Sequence, residues 1–99
     1  MNPKQLMRQV QEMQEKLARD MEALRVEGSA GGGVVTATVN GQKALLAIKI
    51  APEAITPDDP EMLQDLIVAA VSEASRKADA ALNDRLGGLA GGMKVPGLF

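Results

Sequence analysis

VEGSAGGGVVTATVNG, residues 26–41, is the stretch that decides the fold of this sequence. Apolar residues alternate with threonines over residues 34–39, and residues 43–50 alternate in a similar way, so both runs are predicted to be strands. Asn40-Gly41 lies between them and accepts the positive φ angles of a type I′ turn. We therefore expect the two strands to form a tight antiparallel hairpin.

The glycines at 28 and 31–33 resemble a phosphate-binding loop only in composition. Such a loop has the pattern G-x-x-x-x-G-K-[ST] and continues into a helix. Here Gly33 is followed by Val34-Val35 and a predicted strand. The glycines therefore indicate a flexible or bulged connection between strands.

A long amphipathic helix is predicted before the strands. Asn2 suits a helix cap, Pro3 the first helical position, and Gln5 the third residue after the cap. Apolar residues then recur about every 3.6 positions and form one narrow stripe: Leu6, Val10, Met13, Leu17, Met21 and Leu24. Such a stripe either packs against one partner helix or covers the protein's own sheet, and the sequence leaves both possibilities open.

A second long helix is predicted after the strands, with Thr56 or Asp59 as its cap and a proline just inside. Its apolar side comprises Leu63, Leu66, Ile67, Ala70, Val71, Ala74, Ala78, Ala81 and Leu82. The alanines permit the close approach of another element. We expect the helix to stop at Gly87-Gly88 and residues 87–99 to form a flexible, glycine-rich tail.

The composition excludes most enzyme classes. The chain of 99 residues contains no Cys, His, Trp or Tyr. Zinc sites need imidazole or thiolate ligands, and a Ser-His-Asp triad needs His, so neither can be assembled. The acids of residues 53–65 lack the spacing of a calcium loop and suit helix capping. We expect no catalytic residue, metal, cofactor or small-molecule substrate.

Length and hydropathy predict one small soluble domain. The chain has no run of about 18 apolar residues and no secretory signal. The absence of cysteine suits a reducing cytoplasm. A domain of this size is marginally stable alone, and dimerisation would relieve that. We expect a cytoplasmic protein without membrane association.

Several uncommon segments occur in a characteristic order. They are V-E-G-S-A-G-G-G-x-V at residues 26–35, the Asn40-Gly41 turn, and L-Q-D-L-I-V-A-A-V at residues 63–71. Together they resemble the YbaB/EbfC family of bacterial nucleoid-associated DNA-binding proteins, over about residues 1–96. The resemblance implies a single YbaB-like domain over residues 1–86, with the tail at 87–99.

The family resemblance also implies an α+β fold of the order α-β-β-β-α, with a three-stranded antiparallel sheet flanked by two long helices. It adds a strand at residues 26–30, which the glycines alone would not predict. The family's homodimer is tweezer-shaped, with protruding helices that meet duplex DNA. An architectural or regulatory role in the nucleoid, without catalysis, follows from the resemblance.

Charge is distributed unevenly along the chain. The net charge is −2, which is opposite to the basic balance typical of nucleic-acid-binding proteins. Residues 51–65 contain five acidic and no basic side chains, and the rest of the chain is net basic. If the acidic segment points away from DNA, the two helices present basic side chains to phosphates: Lys4, Arg8, Lys16, Arg19, Arg76, Lys77 and Arg85.

The missing aromatics favour double-stranded DNA. Proteins that bind single strands or RNA stack bases on aromatic rings, and the one aromatic residue here is Phe99 in the predicted tail. Neither helix has a helix-turn-helix arrangement, so phosphate contacts with weak or no sequence specificity are expected.

A protein-interaction module is the alternative function. The methionine-rich stripe of the first helix could dock on a partner protein, with little direct DNA binding. The acidic net charge favours this interpretation.

Overall fold

The computed structural model describes residues 2–90, and the side chains up to residue 87. Within that range the elements are α1 (Pro3–Ala23), β1 (Val26–Ala30), β2 (Val35–Val39), β3 (Leu45–Ile50), a short 3₁₀ helix (Pro52–Ala54) and α2 (Pro60–Ala90). The strands form one antiparallel sheet in the order β1-β2-β3. The predicted α-β-β-β-α order, including the strand β1, is confirmed. No described helix is long and apolar enough to cross a membrane.

The hydrophobic core lies between one face of the sheet and α2. Three side chains of the central strand β2 are completely buried, and so are three alanines of α2. They are Val35, Ala37 and Val39, with Ala70, Ala74 and Ala78. The spacing of four residues between the alanines places them on one stripe of α2, as the sequence predicts. Because alanine is small, the helix axis lies close to the sheet.

Gly28 is where β1 and α2 come closest. A β-carbon added to Gly28 would lie less than 3 Å from the backbone nitrogen of Ala74 and from the carbonyl oxygen of Ala70. These are backbone atoms, so rotation of a side chain cannot relieve the overlap. Gly28 is therefore required by close packing and not by a positive φ angle.

The type I′ turn predicted at Asn40-Gly41 is wrong. The only described residue with positive φ in this loop is Lys43, at 67°. The Lys43 N–H donates to the Asn40 carbonyl oxygen at 3.0 Å, and the Asn40 N–H donates to the Ala44 carbonyl oxygen at 3.1 Å. A tight turn followed by one left-handed residue is the usual form of a longer hairpin loop.

Positive φ angles occur instead in the connection between β1 and β2. Gly31 and Gly32 have φ of 65° and 72°, and the Gly33 N–H donates to the Ala30 carbonyl oxygen at 3.2 Å. Positive φ at both central residues is the property of a type I′ turn. The glycine run is thus a connection between strands, as predicted, but it is a defined turn and not a flexible or bulged segment.

Both helix starts follow the predicted capping pattern. The Asn2 side chain accepts from the Lys4 N–H at 3.0 Å, and the Asp59 side chain accepts from the Met62 N–H at 3.1 Å. Asp59, and not Thr56, is therefore the cap of α2.

The predicted end of α2 at Gly87-Gly88 is wrong, because the helix continues to Ala90. A glycine inside a helix costs only about 1 kcal/mol, and the first following proline is Pro96. The remainder of the predicted tail, residues 91–99, lies outside the described residues.

Two glycine substitutions test this packing, and we expect them to change the free energy of unfolding in opposite directions. Gly28→Ala should lower the free energy of unfolding by about 3 kcal/mol, because the methyl group overlaps the backbone of α2. Gly87→Ala should raise the free energy of unfolding by about 0.5–1 kcal/mol, since nothing lies within 4 Å of its β-carbon position. Urea denaturation measures both. A Gly28→Ala protein as stable as the wild type would show that β1 is not packed on α2 as described.

Candidate nucleic-acid interface

α1 projects from the domain as a separate arm. It is 21 residues long, and Met21 is its only buried residue. Its apolar stripe is exposed towards the start of the helix, with Leu6 at 52% and Met13 at 57% exposure. The stripe therefore does not cover the protein's own sheet, which removes one of the two possibilities that the sequence left open.

The arm is attached to the domain at its last turn. The Gly41 N–H of the hairpin loop donates to the Met21 carbonyl oxygen at 2.7 Å. Beside it, Arg85 of α2 lies 3.7 Å from the Asp20 carboxylate, and both side chains are about 40% exposed. An exposed ion pair of this kind contributes little stability, so the buried Met21–Gly41 contact is the main attachment.

The predicted basic residues of α1 are accessible, with Lys16 beside the apolar stripe and the other three on the opposite side of the helix. Lys4, Arg8, Lys16 and Arg19 are all exposed. Within residues 2–90 none of the four forms an ion pair. At 1.5 Å per residue they extend over about 22 Å, roughly two-thirds of one turn of B-DNA. Glu12 and Glu15 lie on the same side and reduce the positive potential.

Two of the three predicted basic residues of α2 form ion pairs within the protein. Arg76 is exposed and forms no ion pair among the described residues. The Lys77 ammonium lies 3.5 Å from the Glu73 carboxylate, and Arg85 pairs with Asp20. The positive charges of Lys77 and Arg85 are therefore partly balanced within the protein.

Glu73 links α2 to the edge of the sheet. Its carboxylate accepts from the Ser29 N–H of edge strand β1 at 3.0 Å. This backbone hydrogen bond is the main cause that lowers the pKa of Glu73. Burial opposes it with the next-largest effect, and the charge of Lys77 lowers the pKa further by a smaller amount. Glu73 therefore stays ionised near Lys77, which makes Lys77 a weaker candidate for phosphate contact than the α1 residues.

Arg85 and Lys16 both line an open groove between the two helices. The groove has a volume of about 570 Å³ and is lined by Val10, Met13, Gln14, Lys16, Leu17, Asp20 and Arg85. Its walls are mainly apolar. Arg76 and Lys77 do not line the groove, so the seven predicted residues form no single cluster.

Sequence reasoning missed one basic residue on the uncovered face of the sheet. Lys49 is exposed on β3, opposite Thr36 in the register and between Ile48 and Ile50, which pack on the core. The alternation along the strand could have revealed Lys49, because the neighbours of core residues in a strand point to the opposite face of the sheet. Lys43 is also exposed but lies 3.2 Å from the Asp79 carboxylate.

The acidic segment lies at the opposite end of the sheet from α1. Gly31, in the turn between β1 and β2, approaches Leu66 near the start of α2, whereas α1 is attached at the hairpin loop. Residues 51–65 lie at the end of the sheet that contains the turn between β1 and β2. Their five acidic side chains are exposed. No group of acids that could hold a metal ion occurs in the described part of the chain. The acidic charge is thus separated from the basic residues of the arm.

Known proteins resemble this chain along nearly its whole length. A family model described as the YbaB/EbfC DNA-binding family matches residues 1–93. A protein named nucleoid-associated protein from Roseiflexus sp. (strain RS-1) is 52% identical, over 98% of this chain and 99% of the relative. Its counterpart from Alkaliphilus metalliredigens (strain QYMF) is 48% identical, over 99% of this chain and 89% of the relative.

One solved structure has the same fold. It is described as an uncharacterized protein from Helicobacter pylori, with a TM-score of 0.64 and 22% identity over 94% of this chain and 97% of that chain. This structural likeness agrees with the arrangement of helices and strands described above. The chain belongs to the YbaB/EbfC family of nucleoid-associated DNA-binding proteins and is not an enzyme.

Proposed function

We propose that this protein binds double-stranded DNA through phosphate contacts from α1, with weak or no sequence specificity, and has an architectural or regulatory role in the nucleoid of the cytoplasm. The observation that carries the proposal is the projecting arm, whose four basic side chains have no acidic partner among the described residues. Such side chains can exchange water and counterions for phosphates without breaking a contact within the protein.

The chemistry of the arm favours phosphates over bases. Lys4, Arg8, Lys16 and Arg19 are long, exposed and spread along a helix, which suits contact with a phosphate backbone. Reading of base edges needs a helix inserted in the major groove with side chains held towards the bases. The described residues contain no helix-turn-helix unit and no aromatic ring for base stacking.

We further propose that two copies assemble through the apolar surface that one chain leaves exposed. Leu45 and Leu46 at the edge strand β3 are 50% and 46% exposed, and Leu6, Val10 and Met13 are exposed on α1. An unpaired strand edge beside exposed leucines favours pairing with another chain. A second copy that covers both surfaces would give two arms per particle.

A second candidate function is supported by the same apolar stripe. Leu6, Val10 and Met13 on a projecting helix could bind a partner protein, and methionine adapts to varied surfaces. Titration of a labelled duplex separates the two functions. Saturable, salt-sensitive binding supports the DNA function, and no binding at low salt supports the protein-interaction function.

The first prediction from this proposal concerns the dependence of DNA affinity on salt concentration. If a dimer neutralises about four to six phosphates, the slope of log affinity against log salt concentration should be roughly −4 to −5. Unlabelled duplex of unrelated sequence should compete nearly as well as any other duplex. Fluorescence anisotropy over a series of salt concentrations measures both. A slope near zero would exclude phosphate neutralisation as the mechanism.

The second prediction concerns the arm itself. Arg8→Gln with Arg19→Gln should weaken binding to all duplexes by roughly tenfold and make the salt slope shallower, since both positions are solvent-facing. The matched control is Gln64→Glu with Ala69→Glu, which changes the net charge equally at exposed positions outside α1 and the hairpin loop. Equal loss of affinity in both variants would mean that only net charge matters and not the arm.

The third prediction concerns assembly. Sedimentation equilibrium should show a dimer at micromolar concentration, and Leu45→Asp with Leu46→Asp should give a folded monomer, because carboxylates cannot be buried unpaired. Ile55→Asp with Val68→Asp is the control, since these residues are exposed elsewhere on the surface. A wild-type monomer, or a control that dissociates equally, would contradict this interface.

A further inference from the structure

The hairpin loop between β2 and β3 forms a seat for the last turn of α1. Gly41 and Met21 are both buried, although most of α1 is exposed. The Gly41 N–H donates to the Met21 carbonyl oxygen at 2.7 Å. That carbonyl lies in the last turn of the helix, where its other donor is the Leu24 N–H at 3.3 Å. The Gly41 N–H is therefore the closer of two donors to this carbonyl and ties the helix end to the loop.

The loop is held in one conformation by Asn40. Its buried side-chain oxygen accepts from the Gln42 N–H at 2.9 Å and from the Ala44 N–H at 3.0 Å. On the other side, the Lys43 ammonium pairs with Asp79 of α2 at 3.2 Å. The Lys43–Asp79 pair is exposed and adds little stability, so the two hydrogen bonds of Asn40 are what hold the loop. Through them the loop provides a fixed reference for the direction of α1.

Glycine is required at position 41 by space and not by conformation. Its φ is not positive, in contrast to Lys43 in the same loop. A β-carbon there would lie 2.7 Å from the Met21 carbonyl oxygen and 2.9 Å from the Met21 α-carbon. Both are backbone atoms, so any larger residue must displace the axis of α1 or the loop itself.

We propose that Gly41 is a positioning residue that sets the direction of the α1 arm, and thereby the placement of its basic side chains relative to those of α2. This inference rests on the proposed DNA function of the arm. From Met21 to Lys4 the helix extends about 25 Å, so a small rotation at the seat moves the distant basic residues by several times the displacement at the seat. The exposed Asp20–Arg85 pair is too weak to hold the arm in place alone.

Distances between two spin labels test the direction of the arm without DNA. The chain has no cysteine, so cysteines can be introduced by Gln9→Cys on α1 and Ser72→Cys on α2, both exposed positions. Dilution of the labelled chain with excess unlabelled chain restricts the measurement to one copy. We expect Gly41→Ala to shift the distance distribution and to lower duplex affinity by roughly tenfold, as when phosphate contacts are lost.

Two control variants separate positioning from stability. Val35→Ala removes core packing far from the seat and should leave the distance distribution unchanged while the protein remains folded. Met21→Ala combined with Gly41→Ala should not restore the wild-type distance, since the overlap involves the backbone of Met21. Restoration by that side-chain truncation would overturn the proposal.

The outcomes distinguish the two proposals. An unchanged distance distribution in Gly41→Ala overturns the positioning role. A shifted distribution with unchanged duplex affinity supports the positioning role and overturns the proposal that α1 binds DNA. If Gly41→Ala does not fold, Asn40→Ala removes the two hydrogen bonds that hold the loop and should broaden the distance distribution. An unchanged width in that variant also overturns the proposal.

Discussion

The close approach of β1 to α2 at Gly28 is the constraint on which the rest of the structure depends. The missing side chain of Gly28 lets the strand lie against the backbone at Ala70 and Ala74. Because these partners are also small, the helix lies close enough to bury Val35, Ala37 and Val39 completely. The domain thus makes a tight but narrow core from one helix and one face of a sheet. Larger residues at these positions would separate the two layers and expose the valines.

α1 takes no part in the core of the described residues. That core consists of α2 and one face of the sheet. Within residues 2–90, α1 is attached near its end, where Met21 contacts Gly41 and Asp20 pairs with Arg85. The same arrangement leaves the apolar stripe and the basic side of α1 in solvent. We interpret the first as an assembly surface and the second as a DNA-binding surface, while the acidic segment stays at the far end of the sheet.

Periodicity and capping predict the two helices and the strands β2 and β3, whereas β1 follows only from the family resemblance and the placement of the elements is not predicted. The stripes on β2 and α2 and the caps at Asn2 and Asp59 follow from local spacing, which the sequence contains directly. Asn40-Gly41 was assigned to the wrong turn, because Gly41 serves a contact with residue 21 that no local pattern reveals. Likewise the exposure of α1, and the pairing of Arg85 with Asp20, depend on contacts between distant parts of the chain. The sequence places the basic residues on helices, but it does not show which of them form ion pairs within the protein.

The central claim is that the α1 arm is the part of the protein that meets DNA. NMR spectra of the ¹⁵N-labelled protein, recorded during titration with a short duplex, test it most directly, because each backbone amide reports separately. We expect the largest shifts in residues 4–19 of α1, smaller shifts near Arg76 and Arg85, and none in the acidic residues 51–65. Shifts concentrated in the glycine turn at residues 31–33 or in the acidic segment, with α1 unaffected, would contradict it.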